Sequence, residues 1–386
     1  MDENRSSSRI RFAFAAAVMG AAVTCVAVRP VQADDATRAG IVTAVKLPPF
    51  EDGAPPCTAP PGLSRSLVFL QDNSREFMQG TAAGLKLAAA DRNLAFSIRL
   101  ANNDPAHMTA DVDSLIAEKV GGAVVAPIDP DGLAPHLIDF MRGGSYVGAI
   151  VPPPATTILN APQYKTGQVL AKVAADYIAD HYKEGANVVL LTHDTNQFLA
   201  ARFDAMRDML GALPTVNIIA DISPETVDKA GGYATMKLIL MANPRVDVVL
   251  GADTVVLGAL KALREAGMAR SDQFLGGIDG EPEAVAEVKS GTGPYKATIS
   301  LNSPVFAYAM GQHAADWLEG KRIPQAMDVL PVALSKDTVA DFEKDMADPR
   351  SVYEDRERRG RYLQMYGSIC YDTRDTFLNF PWSSER

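Results

Sequence analysis

The chain has 386 residues, 47% of them hydrophobic and 22% charged, with a formal net charge of -10. That length is enough for two domains of ordinary size with sizeable cores. The acidic balance argues against nucleic acid or an anionic membrane surface as a partner.

In chain order, Arg5, Arg9 and Arg11 run into the apolar stretch Phe12 to Val28, which ends at Val31-Gln32-Ala33. This pattern reads as a secretory signal peptide over residues 1–33, cleaved after Ala33. Cys25 lies inside it without the leucine and small residue that precede a lipidated cysteine, so no lipid anchor is expected. The segment holds four bases and two acids, which leaves the mature chain at -12. No later segment has 18 uninterrupted apolar residues, and no direct membrane insertion is expected of the mature protein.

Residues 34–65 carry Pro48, Pro49, Pro55, Pro56, Pro60 and Pro61 with little periodicity, and read as an extended lead-in. From there short apolar runs alternate with amphipathic segments. Ser66 to Gln71, Leu94 to Leu100, Gly122 to Ala126 and Val147 to Val151 are strand-like, with helices over Phe77 to Asn93 and Ala106 to Lys119. A second series repeats the rhythm. Its helices are Gly167 to Tyr182, Phe198 to Leu213, Lys229 to Asn243 and Val255 to Ala266, and its strands Asn187 to Thr192, Val216 to Ile222, Val246 to Leu250 and Phe274 to Ile278. Continuous Val, Leu and Ile runs, each followed by a helix, indicate parallel sheets covered on both faces. The expected fold class is α/β, with two doubly wound parallel-sheet lobes. Beyond about residue 336 the pattern degrades, and residues 346–386 read as a charged C-terminal extension. His107, His136, His181 and His313 read as surface residues of helices.

Two cysteines survive the expected cleavage, Cys57 and Cys370. In an oxidising compartment their simplest fate is one disulfide between lead-in and tail, the alternative being two separate thiols. Neither has a histidine at ligand spacing, so no metal is expected.

In open parallel sheets ligands lie outside the carboxyl ends of the strands. The residues there are Gln71, Asp72, Asn73 and Arg75, then Asp129, then His193, Asp194 and Asn196 with Arg202 opening the next helix, then Asp253 and Asp279. Groups of both signs suit a hydroxylated or zwitterionic small molecule. Each has a structural alternative. Asp129 and Asp253 stand where a helix N-cap is wanted, Asp279 suits an Asx turn, and Arg75 and Arg202 head towards positive helix ends that disfavour a cation without an acidic neighbour. There is no Gly-x-Ser-x-Gly elbow, no phosphate-cradling glycine loop and no His-Glu-x-x-His. A hydrolase or lyase using Asp72, Asp129 and Asp279 would lack a recognisable acid and base pair. No enzyme and no cofactor are expected.

Gly251-Ala-Asp-Thr-Val-Val-Leu-Gly-Ala-Leu260, followed by Gly276-Gly-Ile-Asp-Gly280, resembles the second lobe of ribose-binding-type periplasmic proteins. Pro294-Tyr-Lys-Ala-Thr-Ile-Ser300 and the helix running into Gly320-Lys-Arg-Ile-Pro324 are similar to that family's crossing strand and late helix. The resemblance covers about Ser66 to Ser335. It implies two lobes joined by three crossover strands, a ligand in the cleft between them, hinge closure, and delivery by a monomer to an ABC transporter permease. The implied boundaries are 66–165 plus 301–330 for the first lobe and 166–300 plus 331–345 for the second.

Carried across residue by residue, the family's Asn-Pro-Phe-Phe after the first strand stands here as Arg75, Glu76, Phe77 and Met78, which keeps one aromatic wall. Its helix-opening arginine matches Arg202 and the aspartate of its Gly-Phe-Asp-Gly motif matches Asp279. Its Asp-Arg pair after the fourth strand is replaced by Pro152-Pro-Pro154, its Asn-Asp by Ala252-Asp253, and its glutamine on the last crossing by Leu301 with Asn302 as neighbour. The strand ends and the resemblance together give an expected ligand site of Asp72, Arg75, Phe77, Asp129, Arg202, Asp253, Asp279 and Asn302. The expected ligand is a small polar solute, a sugar, sugar derivative or polyol, neutral or acidic; Arg75 and Arg202 facing one cleft could clamp the anion of an acidic one. An alternative output is docking of the closed form on a sensor kinase or chemoreceptor, for which the C-terminal extension would be the feature.

Overall fold

The computed structural model describes residues 46–51, 53, 55–150, 154–196, 199–380 and 382. The expected signal peptide, its cleavage point and residues 151–153 lie outside the described residues. The chain begins with β1 (Ser64–Gln71), α1 (Glu76–Asp91), β2 (Ala95–Leu100), α2 (Pro105–Ala117), β3 (Val120–Val125), α3 (Pro130–Arg142), β4 (Tyr146–Ile150) and β5 (Thr157–Asn160). It continues through α4 (Gln163–His181), β6 (Ala186–Leu191), α5 (Ala200–Gly211), β7 (Val216–Ile222), α6 (Lys229–Ala242), β8 (Val248–Leu250), α7 (Asp253–Glu265), β9 (Phe274–Asp279), α8 (Pro282–Ser290) and β10 (Tyr295–Ser300). The last elements are α9 (Ser303–Leu318), β11 (Ala326–Val329), β12 (Val332–Leu334), α10 (Val339–Ala347), α11 (Pro349–Glu354), α12 (Arg356–Arg359) and β13 (Leu363–Tyr366).

These strands form two sheets. The first runs β13-β11-β5-β4-β3-β1-β2 and the second β12-β10-β9-β8-β6-β7. All neighbours are parallel except β13 on β11 and β12 on β10. The order follows from side-chain content. β3, Val-Gly-Gly-Ala-Val-Val, is buried along its whole length in the middle of the first sheet, whereas β2 and β7 carry Ser97, Arg99, Asn217 and Asp221 and lie at the edges, partly exposed. Helix starts are set by aspartates: Asp104 accepts from the Ala106 and His107 amides, and Asp228 from that of Gly231.

α9 is buried almost all round and lies against α1. Small residues make that approach possible, since a Cβ at Gly84 would come within 2.3 Å of the Pro304 carbonyl oxygen, and one at Gly311 within 2.5 Å of the Ala88 methyl. His313, expected at the surface, is buried on this helix beside Tyr353, because the tail covers the face that a periodic reading leaves to solvent.

The chain passes between the sheets at residues 161–162, 301–302 and 330–331. The tail adds a fourth passage. α10 packs on α8, with Lys289 Nζ 2.6 Å from Glu343 Oε2, and α11 packs on α9, with Arg350 paired to Asp91. The described residues of 346–386 are therefore not an extension outside the lobes. β13 completes the first sheet, Leu378 and Trp382 are buried in that lobe, and a disulfide ties Cys370 to Cys57 in the lead-in. The sequence pattern missed this because β11, β12 and β13 are three or four residues long and show no alternation over so short a run.

α4 and α5 meet at Gly167, where a Cβ would lie 1.9 Å from the Arg202 carbonyl oxygen. Gly167→Ala is expected to lower the unfolding free energy by about 1–3 kcal/mol, since the obstacle is backbone and cannot rotate away. Urea denaturation of the variant beside the parent measures it.

Candidate ligand-binding cleft

On the first lobe, β1 ends at Gln71 and the chain turns through residues 72–75 into α1. Asp72 Oδ1 accepts from the Asn73 amide at 2.7 Å, and its Oδ2 accepts from Arg75 Nη1 at 2.9 Å. This is the acidic neighbour that a cation at a helix start requires. Phe77 stands next along, its ring 5.8 Å from that of Phe306 on α9 and 5.8 Å from the Arg75 guanidinium carbon.

On the second lobe Arg202 is 5% exposed. Its Nε donates to Gln163 Oε1 at 2.7 Å, and its Nη1 lies 3.8 Å from Asp279 Oδ1. Burial lowers the guanidinium pKa and Asp279 opposes the shift. Asp279 ends β9 at a φ of 123°, a backbone conformation rare for a residue with a Cβ. Burial raises the pKa of its carboxyl, and Arg202 and then Arg75 pull it back. Arg75 of the first lobe is thereby within electrostatic reach of Asp279 of the second, and the carboxyl ends of the two sheets face one another.

Asp72, Arg75, Phe77, Arg202 and Asp279 are thus brought together. Asn302 lies beside them, since Ser300 is paired with Asp279 across β10 and β9. Its Nδ2 donates to the Leu330 carbonyl at 3.2 Å, linking the second and third passages, while its Oδ1 is buried without a partner.

Two expected ligand residues do other work. Asp129 is exposed and caps α3, accepting from the Gly132 amide at 3.1 Å. Asp253 is 0% exposed, and its oxygens are taken by the Tyr295 hydroxyl at 2.7 Å, the Thr298 hydroxyl at 2.7 Å and the Glu281 amide at 2.8 Å. It clamps the loop after β9 to β10, and it is not the cap of α7 either, which is Ala252. The arginine pair expected to hold an acidic ligand is not spare, because each guanidinium already has a carboxylate beside it.

Sequence reasoning passed over Gln163, Glu76 and Glu281, and noted His193 without placing it in the site. His193 Nδ1 is buried without a partner, and the pKa of the ring is lowered by burial and by Arg202. The position of His193 after β6 was the available signal. Gln163 and Glu281 gave none, since only the packing of α4 on α5 and the turn after Asp279 bring them in.

Both lobes, their order of strands and the cleft between strand ends match a known domain: residues 67–322 fit the periplasmic binding protein domain. The chain belongs to that family. Its members are substrate-binding proteins without catalytic activity. The chain is 24% identical over 263 residues to the ribose import binding protein of Bacillus subtilis (strain 168), covering 65% of this chain and 80% of that protein. It is 27% identical over 267 residues to the xylitol-binding protein of Mycolicibacterium smegmatis, covering 66% and 73%. Among solved structures, a solute-binding protein of Bacillus halodurans C-125 with bound myo-inositol superposes with a TM-score of 0.64 at 17% identity, over 74% of this chain and all but 1% of that one (99% covered). The family match stops at residue 322, so the fourth passage between the lobes lies beyond it.

Burial lifts the Asp253 carboxyl from its usual 3.8 to about 7. The folded state then holds this proton more tightly than the unfolded chain does. The associated stability is present below about pH 4 and is lost as pH rises through about 7. Asp253→Asn, neutral at every pH, is expected to gain stability relative to the parent between pH 5 and pH 8. Urea unfolding of both proteins at the two pH values checks the sign.

Proposed function

We propose that this chain is the extracytoplasmic sugar- or polyol-binding component of an ABC importer, working as a monomer that delivers its ligand to the inner-membrane permease. The observation that carries the reading is the gap of 3.8 Å between Arg202 Nη1 and Asp279 Oδ1. That is too long for a direct hydrogen bond and leaves a donor and an acceptor side by side. A hydroxyl is the group that accepts from one and donates to the other at once. Asn302 Oδ1 and His193 Nδ1 add two more unsatisfied atoms nearby, and Phe77 offers an apolar face for the C–H side of a ring. A neutral polyol fits this arrangement better than an acidic one, because both arginines already face carboxylates.

Ligand contacts drawn from both lobes exist only when the lobes close, so binding shifts the population towards the closed form. A signalling output has less support, since the described part of the tail that would have served it is packed into the two lobes. Export through a signal peptide to the periplasm fits the family and the pairing of Cys57 with Cys370. Among the described residues no helix is long and apolar enough to cross a membrane.

A thermal-shift screen over pentoses, hexoses, inositols and linear polyols is expected to find at least one that stabilises the mature protein, by about 2.7 kcal/mol at 100 times its dissociation constant. Asp279→Asn should weaken that ligand about 10–100-fold in calorimetry, the worth of a hydrogen bond to a charged group. A screen with no hit, or an affinity untouched by the substitution, would refute the assignment. The double variant Cys57→Ser, Cys370→Ser is expected to lose about 2–5 kcal/mol of stability, because the bond closes a loop spanning nearly the whole fold.

A further inference from the structure

Two carboxylates in the cleft remain once the charges are paired. Asp72 has Arg75, Asp279 has Arg202 with Arg75 beyond it, and Asp253 has its three donors. Glu76, the first residue of α1 on the first lobe, has Oε2 buried with no hydrogen-bond partner. Glu281 on the second lobe is 4% exposed, and among the described residues no group donates to its carboxylate. Glu281 follows Asp279 with its amide bonded to Asp253, Glu76 follows Arg75 on the first lobe, and Lys229, paired with Glu283 two residues further on, acts on both, while Glu76 in turn raises the pKa of Glu281. Burial and the neighbouring Asp279, Asp253 and Glu76 lift Glu281 to about 8.

Among the described residues the cation acting on both carboxylates is Lys229, at the start of α6. It is half-exposed and already paired with Glu283, and it acts on Glu76 and Glu281 only at longer range. One shared lysine does not neutralise three carboxylates. A buried carboxylate with neither a cation nor a donor is strongly unfavourable, and it is relieved either by a proton or by a cation brought in from outside. A ligand cation placed between Glu76 and Glu281 would bond to both lobes at once, with charge-assisted hydrogen bonds that only the closed form provides. The same cleft presents a donor–acceptor pair for hydroxyls in Arg202 and Asp279, and an apolar wall in Phe77.

We propose that the cleft takes a polyhydroxylated ligand bearing a protonated amine, an amino sugar, aminocyclitol or amino-polyol, with Glu76 and Glu281 receiving the ammonium from opposite lobes. This rests on the sugar- and polyol-binding reading above and narrows it to a chemical class.

The test is calorimetry on the full mature chain at pH 7 with matched pairs that differ in one group: glucosamine and glucose, galactosamine and galactose, glucamine and glucitol, an aminocyclitol and myo-inositol. At least one amine is expected to bind 10-fold or more tightly than its hydroxyl counterpart. Glu281→Gln and Glu76→Gln, one on each lobe and both close in shape to the parent, should each cut that ratio at least fivefold. Their urea transitions show that each variant is folded. A hydroxyl member that binds as tightly as its amine, or a preference that survives both substitutions, overturns the inference and leaves the sugar-binding reading in place. Failure of every member of every pair to bind overturns the inference, and the sugar-binding reading falls with it only where the pentoses and linear polyols of the wider screen fail as well.

Discussion

The buried guanidinium of Arg202 is the constraint around which the second half of the cleft is arranged. An arginine in the first turn of a helix works against the helix dipole, and burying it adds a desolvation cost. Both are offset by neighbours from separate elements, Gln163 at the start of α4 and Asp279 at the end of β9. For these to meet, α5 must come very close to α4, which is why Gly167 faces the Arg202 backbone. Asp279 must leave β9 at an unusual angle, which Gly280 after it, also at positive φ, helps the chain to do. The Asp253 clamp then holds the following loop to β10 through Tyr295 and Thr298. Strain in the backbone and desolvation in the side chain are both concentrated where a ligand would sit, as is common at binding sites.

The repeating part of the fold was legible because its physics is local. Apolar runs such as Val248–Leu250 are buried on both faces and must be flanked by helices, and a strand–helix series repeated twice leaves few topologies. Arg202 and Asp279 were legible for a related reason, since strand ends in such sheets point at one place. What could not be read depends on contacts between distant segments. Whether Asp253 turns towards a ligand or into its own lobe is decided by Tyr295 and Thr298 on β10, more than 40 residues later in the chain. Asp129 shows the opposite case, where the local rule of helix capping was sufficient and the broader inference from strand ends was the one that misled.

The tail was illegible for the same reason on a larger scale. β13 has no alternation of its own and gains its place only by pairing with β11, and His313 is covered only because α11 brings Tyr353 over α9. A disulfide at Cys370 and the Arg350–Asp91 pair hold this segment to the first lobe, while Lys289 and Glu343 hold α10 to the second. Among the described residues the lobes are consequently joined by four chain passages. The fourth turns at Asp348, which caps α11 by accepting from the Ser351 amide, so that two helices meet with one residue between them.

Charge in the cleft was the hardest property to foresee, because a sequence shows which charged residues are present but not which are spent on one another. Two arginines at strand ends suggested an anion clamp. In the folded protein Arg75 lies against Asp72 and Arg202 beside Asp279, so neither has its full charge to offer. What remains is an excess of carboxylates, and it comes from residues that no strand-end rule selects: Glu76 one position before Phe77, and Glu281 two positions after Asp279. Pairing cancels the conspicuous charges first. The character of the site is then set by the residues left over, and here those are acidic on both lobes.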